Sequence, residues 1–165
     1  MITAMGGKEK VQVAVRVRPP LPRETVGGKF TSCLGIGPIT EKGQTIFVSG
    51  DDAPVLLTGE GDGEGRMSRF TFDRVFPRES SQEDVFSLGM QATLDKVLQG
   101  QNATVLAYGQ TGSGKTYTML GGTHKEEEGL IPRTIRALLD EDKKVTLALS
   151  VIQIYREVVT SPYRF

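Results

Sequence analysis

Eight consecutive residues constrain this chain more than anything else in it: Gly109-Gln110-Thr111-Gly112-Ser113-Gly114-Lys115-Thr116. Their spacing is G-x-x-x-x-G-K-[ST], and the flanks suit it. An apolar run, Ala103 to Tyr108, leads in, and a helix-capable run, Lys115 to Leu120, leads out. Strand, glycine-rich loop and helix in that order form a phosphate-binding loop. Glycine lets the backbone approach phosphate oxygens at dihedral angles other residues resist. The loop N–H groups then point inward as an anion nest at the start of a helix. Lys115 would meet the β- and γ-phosphates as a point charge. Thr116 would offer its hydroxyl to Mg2+.

The bulk properties exclude several other classes. The chain has 165 residues, which is one domain or part of one. Twenty basic and twenty acidic side chains give a formal net charge of zero, and no polybasic block occurs. Nothing in that balance points to nucleic acid or to an anionic membrane. The single cysteine, Cys33, has no internal disulfide partner, which fits a reducing compartment and predicts a core gap-filler. No apolar run approaches a membrane span, and residues 1–8 lack the apolar core of a signal peptide. A cytosolic protein is expected. His124, the one histidine, has no second histidine or cysteine near it and is a poor metal-ligand candidate.

Hydrophobic periodicity places the elements. Val11, Val13, Val15 and Val17 alternate with Gln12, Ala14, Arg16 and Arg18, a strand that Pro19-Pro20 ends. Residues 27–69 read as small antiparallel strands and turns, with Thr45–Val48 a strand and Pro54–Leu57 a weaker one. Gly59 to Arg66 reads as a solvated loop. Phe70–Phe76 reads as one strand, stopped by Pro77. Ser80 and Glu83 form a capping box for a helix that carries Phe86, Met90, Leu94, Val97 and Leu98 and closes at Gly100. Gly121 to Gly129 is an exposed loop, and Pro132 opens a helix with Ile135, Leu138 and Leu139. Val145 to Tyr155 is apolar on both faces, which predicts a central, covered strand. The strands ending at Arg18, Tyr108 and Tyr155 are all expected in the middle of one sheet.

Several segments, in order, resemble the kinesin motor domain. Val13-Ala14-Val15-Arg16-Val17-Arg18-Pro19 resembles its opening strand, with the R-x-R-P signature, and Phe70–Phe76 its next core strand. Asn102 to Met119 is similar to the family's phosphate loop with both flanks. Gly129-Leu130-Ile131-Pro132-Arg133 matches the start of the helix after the variable fifth loop, and Ser150 to Tyr155 the S-x-x-E-I-Y strand that follows. The variant around Ala103–Tyr108 and the Val-Arg-Val-Arg-Pro-Pro opening lean towards the chromokinesin (kinesin-4) branch. The resemblance implies a phosphate-loop NTPase fold: α/β, with a mixed sheet flanked by helices. It implies that residues 11–159 are the N-terminal part of a motor domain, between a flexible segment, 1–10, and an unmatched tail, 160–165. It further implies ATP and Mg2+ as cofactors, microtubules as partner and a cytoskeletal location. Arg16, Arg18, Pro19 and Tyr117 hold the positions that in the family lie against adenine, and flat or apolar side chains suit a purine. The alternative for Arg16 and Arg18 is a solvated strand face.

Departures from the family pattern limit what the segment is expected to do. The switch strings N-x-x-S-S-R-S-H and D-x-x-G-x-E do not occur in these residues. Those elements sense the γ-phosphate and position the attacking water, so no complete catalytic set is present. Gln153 replaces the family's glutamate, and Arg156 its asparagine. The sequence therefore resembles roughly the first half of a motor domain. Two alternatives stand beside an ATP-driven motor. One is a non-enzymatic remnant with at most weak nucleotide binding. The other is an unrelated phosphate-loop kinase, against which the acidic Glu126-Glu127-Glu128 speaks, since such a kinase needs a basic lid.

Overall fold

Two stretches of alternating and β-branched residues organise the molecule, and they end up in separate sheets. In the computed structural model, residues 2–5, 11–25, 33–49, 67–139, 146–156 and 158–160 are described. The expectations for Pro54–Leu57, Gly59–Arg66, Val145 and the last five residues lie outside that set.

The first sheet has four strands in the order β6-β2-β1-β7: β1 Ile2–Met5, β2 Gln12–Arg16, β6 Arg74–Phe76 and β7 Ala103–Leu106. β2 and β6 run parallel, with Val15 opposite Val75. β1 is antiparallel to both of its neighbours, so β2, β6 and β7 all point the same way. The second sheet is a meander, β3 Leu34–Thr40, β4 Gly43–Ser49 and β5 Met67–Phe72. Thr45 on β4 and Thr71 on β5 stand opposite each other and share a 3.1 Å hydroxyl hydrogen bond. A hairpin of β8 Gln153–Tyr155 and β9 Val158–Thr160 forms a third, two-stranded sheet.

The helices cover the first sheet. α1 Gln82–Gly89 and α2 Gln91–Leu98 follow β6, α3 Lys115–Met119 follows β7, and α4 Leu130–Leu138 comes last. Phe76, Val85, Phe86, Met90, Leu94 and Leu130 are buried together, with Ala14, Val105, Met119, Ala137 and Leu138 packed against them. Sheet and helices thus meet directly behind the glycine-rich loop.

Several sequence expectations are corrected. Residues 1–10 were expected to be flexible, but Ile2–Met5 forms β1. Its four residues pair with β7 along its whole length, and a run that short carries no readable period. The stretch Phe70–Phe76 is two strands in two sheets, broken at Asp73, whose carboxylate accepts a 2.8 Å hydrogen bond from the Val13 N–H. The capping box belongs to Ser81 and Asp84, one residue later than predicted: Ser81 Oγ accepts from the Asp84 N–H at 3.0 Å and the Asp84 carboxylate accepts from the Ser81 N–H at 2.8 Å. The helix predicted to run unbroken to Gly100 divides at Met90. Of its predicted core residues Phe86, Met90 and Leu94 are buried, while Leu98 is exposed. α4 starts at Leu130 with Gly129 as its cap, and Pro132 sits in the first turn, where its missing N–H has no helical partner to lose.

The largest correction concerns Val145 to Tyr155. Residues 146–152 form no strand, Leu149 is 63% exposed, and only Gln153–Tyr155 pairs, with β9. A strand apolar on both faces is stable only between neighbours and beneath two layers. Among the described residues, β7 pairs only with β1 and offers this segment no ladder. β7 is accordingly an edge strand, not a central one, although Val105 still packs on the core. Cys33 is exposed and fills no gap in the core.

Candidate nucleotide site

β7 runs straight into the loop, and α3 begins on its far side. Gly109 sits tight against the loop it opens: an added Cβ would lie 2.5 Å from Ser113 Oγ. Gly114 caps α3 in the left-handed region, φ 95° and ψ 16°, a conformation that costs other residues. The turn between them closes through Ser113 N–H donating to the Gln110 carbonyl at 3.1 Å. The first-turn amides of α3 have no helical acceptor behind them. α3 is only five residues long. Anion attraction at this site therefore rests on loop N–H groups and Lys115 more than on a helix macrodipole.

Lys115 folds back over the loop. Its Nζ donates to the Gly109 carbonyl at 2.8 Å and to the Gln110 carbonyl at 2.9 Å. Both partners are neutral oxygens, which phosphate oxygens would replace as stronger, charge-assisted acceptors. Beside the lysine lies a cleft of about 120 Å3, which Arg16, Arg18, Pro19, Ser113, Gly114 and Tyr117 also line. Four residues from the opening strand and the loop's helix thus meet the phosphate loop at one cleft. Thr111, Gly112 and Thr116 are exposed and do not line it. Gln110 lines the neighbouring cavity, along with Ser113 and both arginines.

The two arginines differ. Arg16 is half-buried, with its guanidinium 5.4 Å from the centroid of the Tyr117 ring. It donates to Gln82 Oε1 at 2.8 Å, Thr118 Oγ1 at 3.0 Å and the Ser80 carbonyl at 3.4 Å. Burial lowers its pKa from the ordinary arginine value. This is no solvated strand face. Arg18 turns instead to Glu24, with Nη2–Oε1 at 2.6 Å and Nη1–Oε2 at 2.8 Å. Nη1 also donates to the Pro19 carbonyl at 2.9 Å, so the guanidinium is already partnered beside the cleft that Arg18 lines.

The residues present fit a nucleotide triphosphate. A cation stands on exchangeable acceptors, a glycine occupies the one position where a Cβ would fill the loop, and flat side chains wall the adjoining cleft. Among the described residues, no group of three or more histidine, cysteine, aspartate or glutamate side chains could hold a metal by itself. A cation here would be held jointly by ligand phosphates and one hydroxyl, which Thr116 at the loop's end could supply.

The kinesin motor domain family model matches residues 16–161. The chain belongs to the kinesin motor domain family. Human chromosome-associated kinesin KIF4A is 40% identical over 159 residues, covering 90% of this chain and 11% of that protein. Kinesin-like protein 3 of Schizosaccharomyces pombe is 44% identical over 97 residues, covering 54% and 18%. A solved structure described as that of a fast kinesin superposes with a TM-score of 0.69 at 29% identity, over 91% of this chain and 40% of that one. This kinesin chain thus spans about a tenth of its full-length chromokinesin relative and two fifths of a solved kinesin chain. Its likeness to chromosome-associated kinesins agrees with the leaning of the Ala103–Tyr108 variant.

Tyr108 and Thr118 also line the cleft, and sequence reasoning did not single them out, although Tyr108 is an aromatic next to the loop. Gln82 does not line it but meets Arg16 across 66 residues of sequence and the Tyr117 carbonyl across 35, which no local pattern signals.

Proposed function

We propose that this chain is the MgATP-binding portion of a kinesin motor that moves on microtubules. Gly109 to Thr116 take the phosphates, Lys115 the β- and γ-oxygens, and Thr116 a Mg2+ ion. Arg16, Pro19 and Tyr117 face the base, with Arg18 lending its stem. Lys115 carries this reading: an ammonium held on two neutral carbonyls, beside a cleft walled by stacking side chains. Bound Mg2+ would neutralise phosphate charge and orient the terminal phosphoryl group. Residues 11–159 act as the N-terminal part of the motor domain, and microtubules are the partner of the longer protein.

A second reading also has support. The groups that polarise water and sense the γ-phosphate in the family have no counterpart string in these residues. On these 165 residues alone, binding without turnover is the proposed behaviour.

Titration with a fluorescent ATP analogue tests the binding claim. The parent should bind saturably. Lys115→Ala should weaken affinity by about ten- to a hundredfold, the range for a charge-assisted hydrogen bond of about 1.5–3 kcal/mol. Equal affinity in both proteins refutes the assignment.

A further inference from the structure

Gln82 is the first residue of α1, yet it is only 3% exposed. A glutamine at a helix start ordinarily reaches into water. Here its carboxamide is spent on three partners from three parts of the chain. Oε1 accepts from Arg16 Nη1 at 2.8 Å. Nε2 donates to the Tyr117 carbonyl at 2.7 Å and to the Glu127 carbonyl at 3.0 Å. One acceptor and two donors on a single planar group match that demand. Glutamate would satisfy Arg16 but turn an oxygen towards two carbonyls. Asparagine is a methylene shorter. Methionine fills similar space and leaves three polar groups without this partner.

The same amide therefore grips both members of the Arg16–Tyr117 pair, the guanidinium directly and the ring through its own backbone. Arg16 needs such acceptors, because burial disfavours its charge. Resting on the nucleotide reading above, we propose that Gln82 is a positioning residue for the base side of the cleft. It fixes the flat wall made by Arg16 and Tyr117 without itself touching the nucleotide. None of its three hydrogen bonds reaches residues 109–116, where the loop has its own turn and the Lys115 contacts to hold it.

The test separates base from phosphate. Calorimetric titration of the 165-residue chain with MgATP and with inorganic tripolyphosphate is compared for the parent and Gln82→Met. ATP affinity should fall about three- to tenfold, as for loss of one hydrogen-bonded support, while tripolyphosphate affinity stays within about twofold. In an Arg16→Ala background, Gln82→Met should cost less for ATP than in the parent, because the part of its action that runs through Arg16 is already gone and only the hold on the Tyr117 carbonyl remains. Equal loss of both ligands overturns the proposal, since Gln82 would then be supporting the fold. So does unchanged ATP affinity, or additivity with Arg16→Ala. A parent chain that binds neither ligand overturns the nucleotide reading and this inference with it. A parent that binds both, unaffected by Gln82→Met, overturns this inference alone.

Discussion

Arg18 shows how a correctly located residue can be committed elsewhere. Its position beside Pro19 was legible, but its partner was not, because Glu24 comes within reach only through the 3-10 turn at Pro22–Glu24. The Glu24 carboxylate takes both Arg18 nitrogens and the Leu21 N–H. These contacts, with the Arg18 hydrogen bond the largest, lower its pKa from 4.5 to about 2. A depressed carboxylate pKa means that the pair's contribution is fully present above about pH 4.5 and fades as pH falls towards 2. Both side chains are about one-third exposed, so solvent screens the pair and its share of stability is small. A carbon-detected NMR titration of the Glu24 carboxyl should show a midpoint near 2, and Arg18→Gln should raise it towards the ordinary range. A midpoint that Arg18→Gln leaves unmoved would disprove the pairing. For the same reason Arg18→Ala should weaken ATP binding less than Arg16→Ala. The candidate phosphate loop could be proposed from sequence because its residues are contiguous, whereas Gln82 gives no local sign of the contacts it makes across the chain.

Elements were legible where a period runs long enough or a cap is local. The valine alternation located β2, and the helical spacing of Phe86, Met90 and Leu94 located their buried face. The capping box was misplaced by one because Ser80 and Ser81 each have an acid three residues on, and the local pattern alone does not choose between them. β1 was invisible for want of length, and its position between two parallel strands has a consequence. β7 leads into the phosphate loop, and its only sheet partner among the described residues is β1, through Ile2–Leu106, Thr3–Val105, Ala4–Thr104 and Met5–Ala103. Deleting residues 1–5 should therefore loosen β7 most, since β2 keeps its pairing with β6. Hydrogen exchange should show residues 103–106 losing protection by about 2–4 kcal/mol, as for several ladder hydrogen bonds lost together. The β3–β4–β5 meander, held by its own pairing, should keep its protection. Unchanged exchange across β7 would show that β1 does not hold it.

For the whole molecule, the deciding quantity is the apolar surface without a partner. Ile152, Ile154 and Val159 are each about two-thirds exposed, alongside Leu149. Leu149 stands at an apolar groove with Met90, Val105, Met119 and Leu130, flanking β7 without pairing to it. Wet apolar surface forgoes about 25 cal/mol per Å2 of stabilisation, so the isolated chain should melt with low cooperativity and self-associate. The sequence marked residues 145–155 as covered and the structure leaves Leu149, Ile152 and Ile154 among them exposed, because cover depends on neighbours that no local pattern names. The same reasoning bears on activity. On the proposed reading the loop and cleft hold a bound ground state, and ground-state binding alone lowers no barrier. Acceleration needs groups placed on the transferring phosphoryl and on the attacking water. The nearest cation, Lys115, would be occupied with the phosphates, and the two switch strings that supply such groups in kinesins do not occur here. A steady-state phosphate-release assay on the purified 165-residue chain should therefore give a rate at the no-enzyme background, and polymerised tubulin should not raise it. Lys115→Ala should leave that background unchanged while abolishing most ATP binding, which separates a silent site from an absent one. Phosphate release that climbs with tubulin concentration in the parent, and falls in Lys115→Ala, would mean that these residues already hold a complete catalytic set.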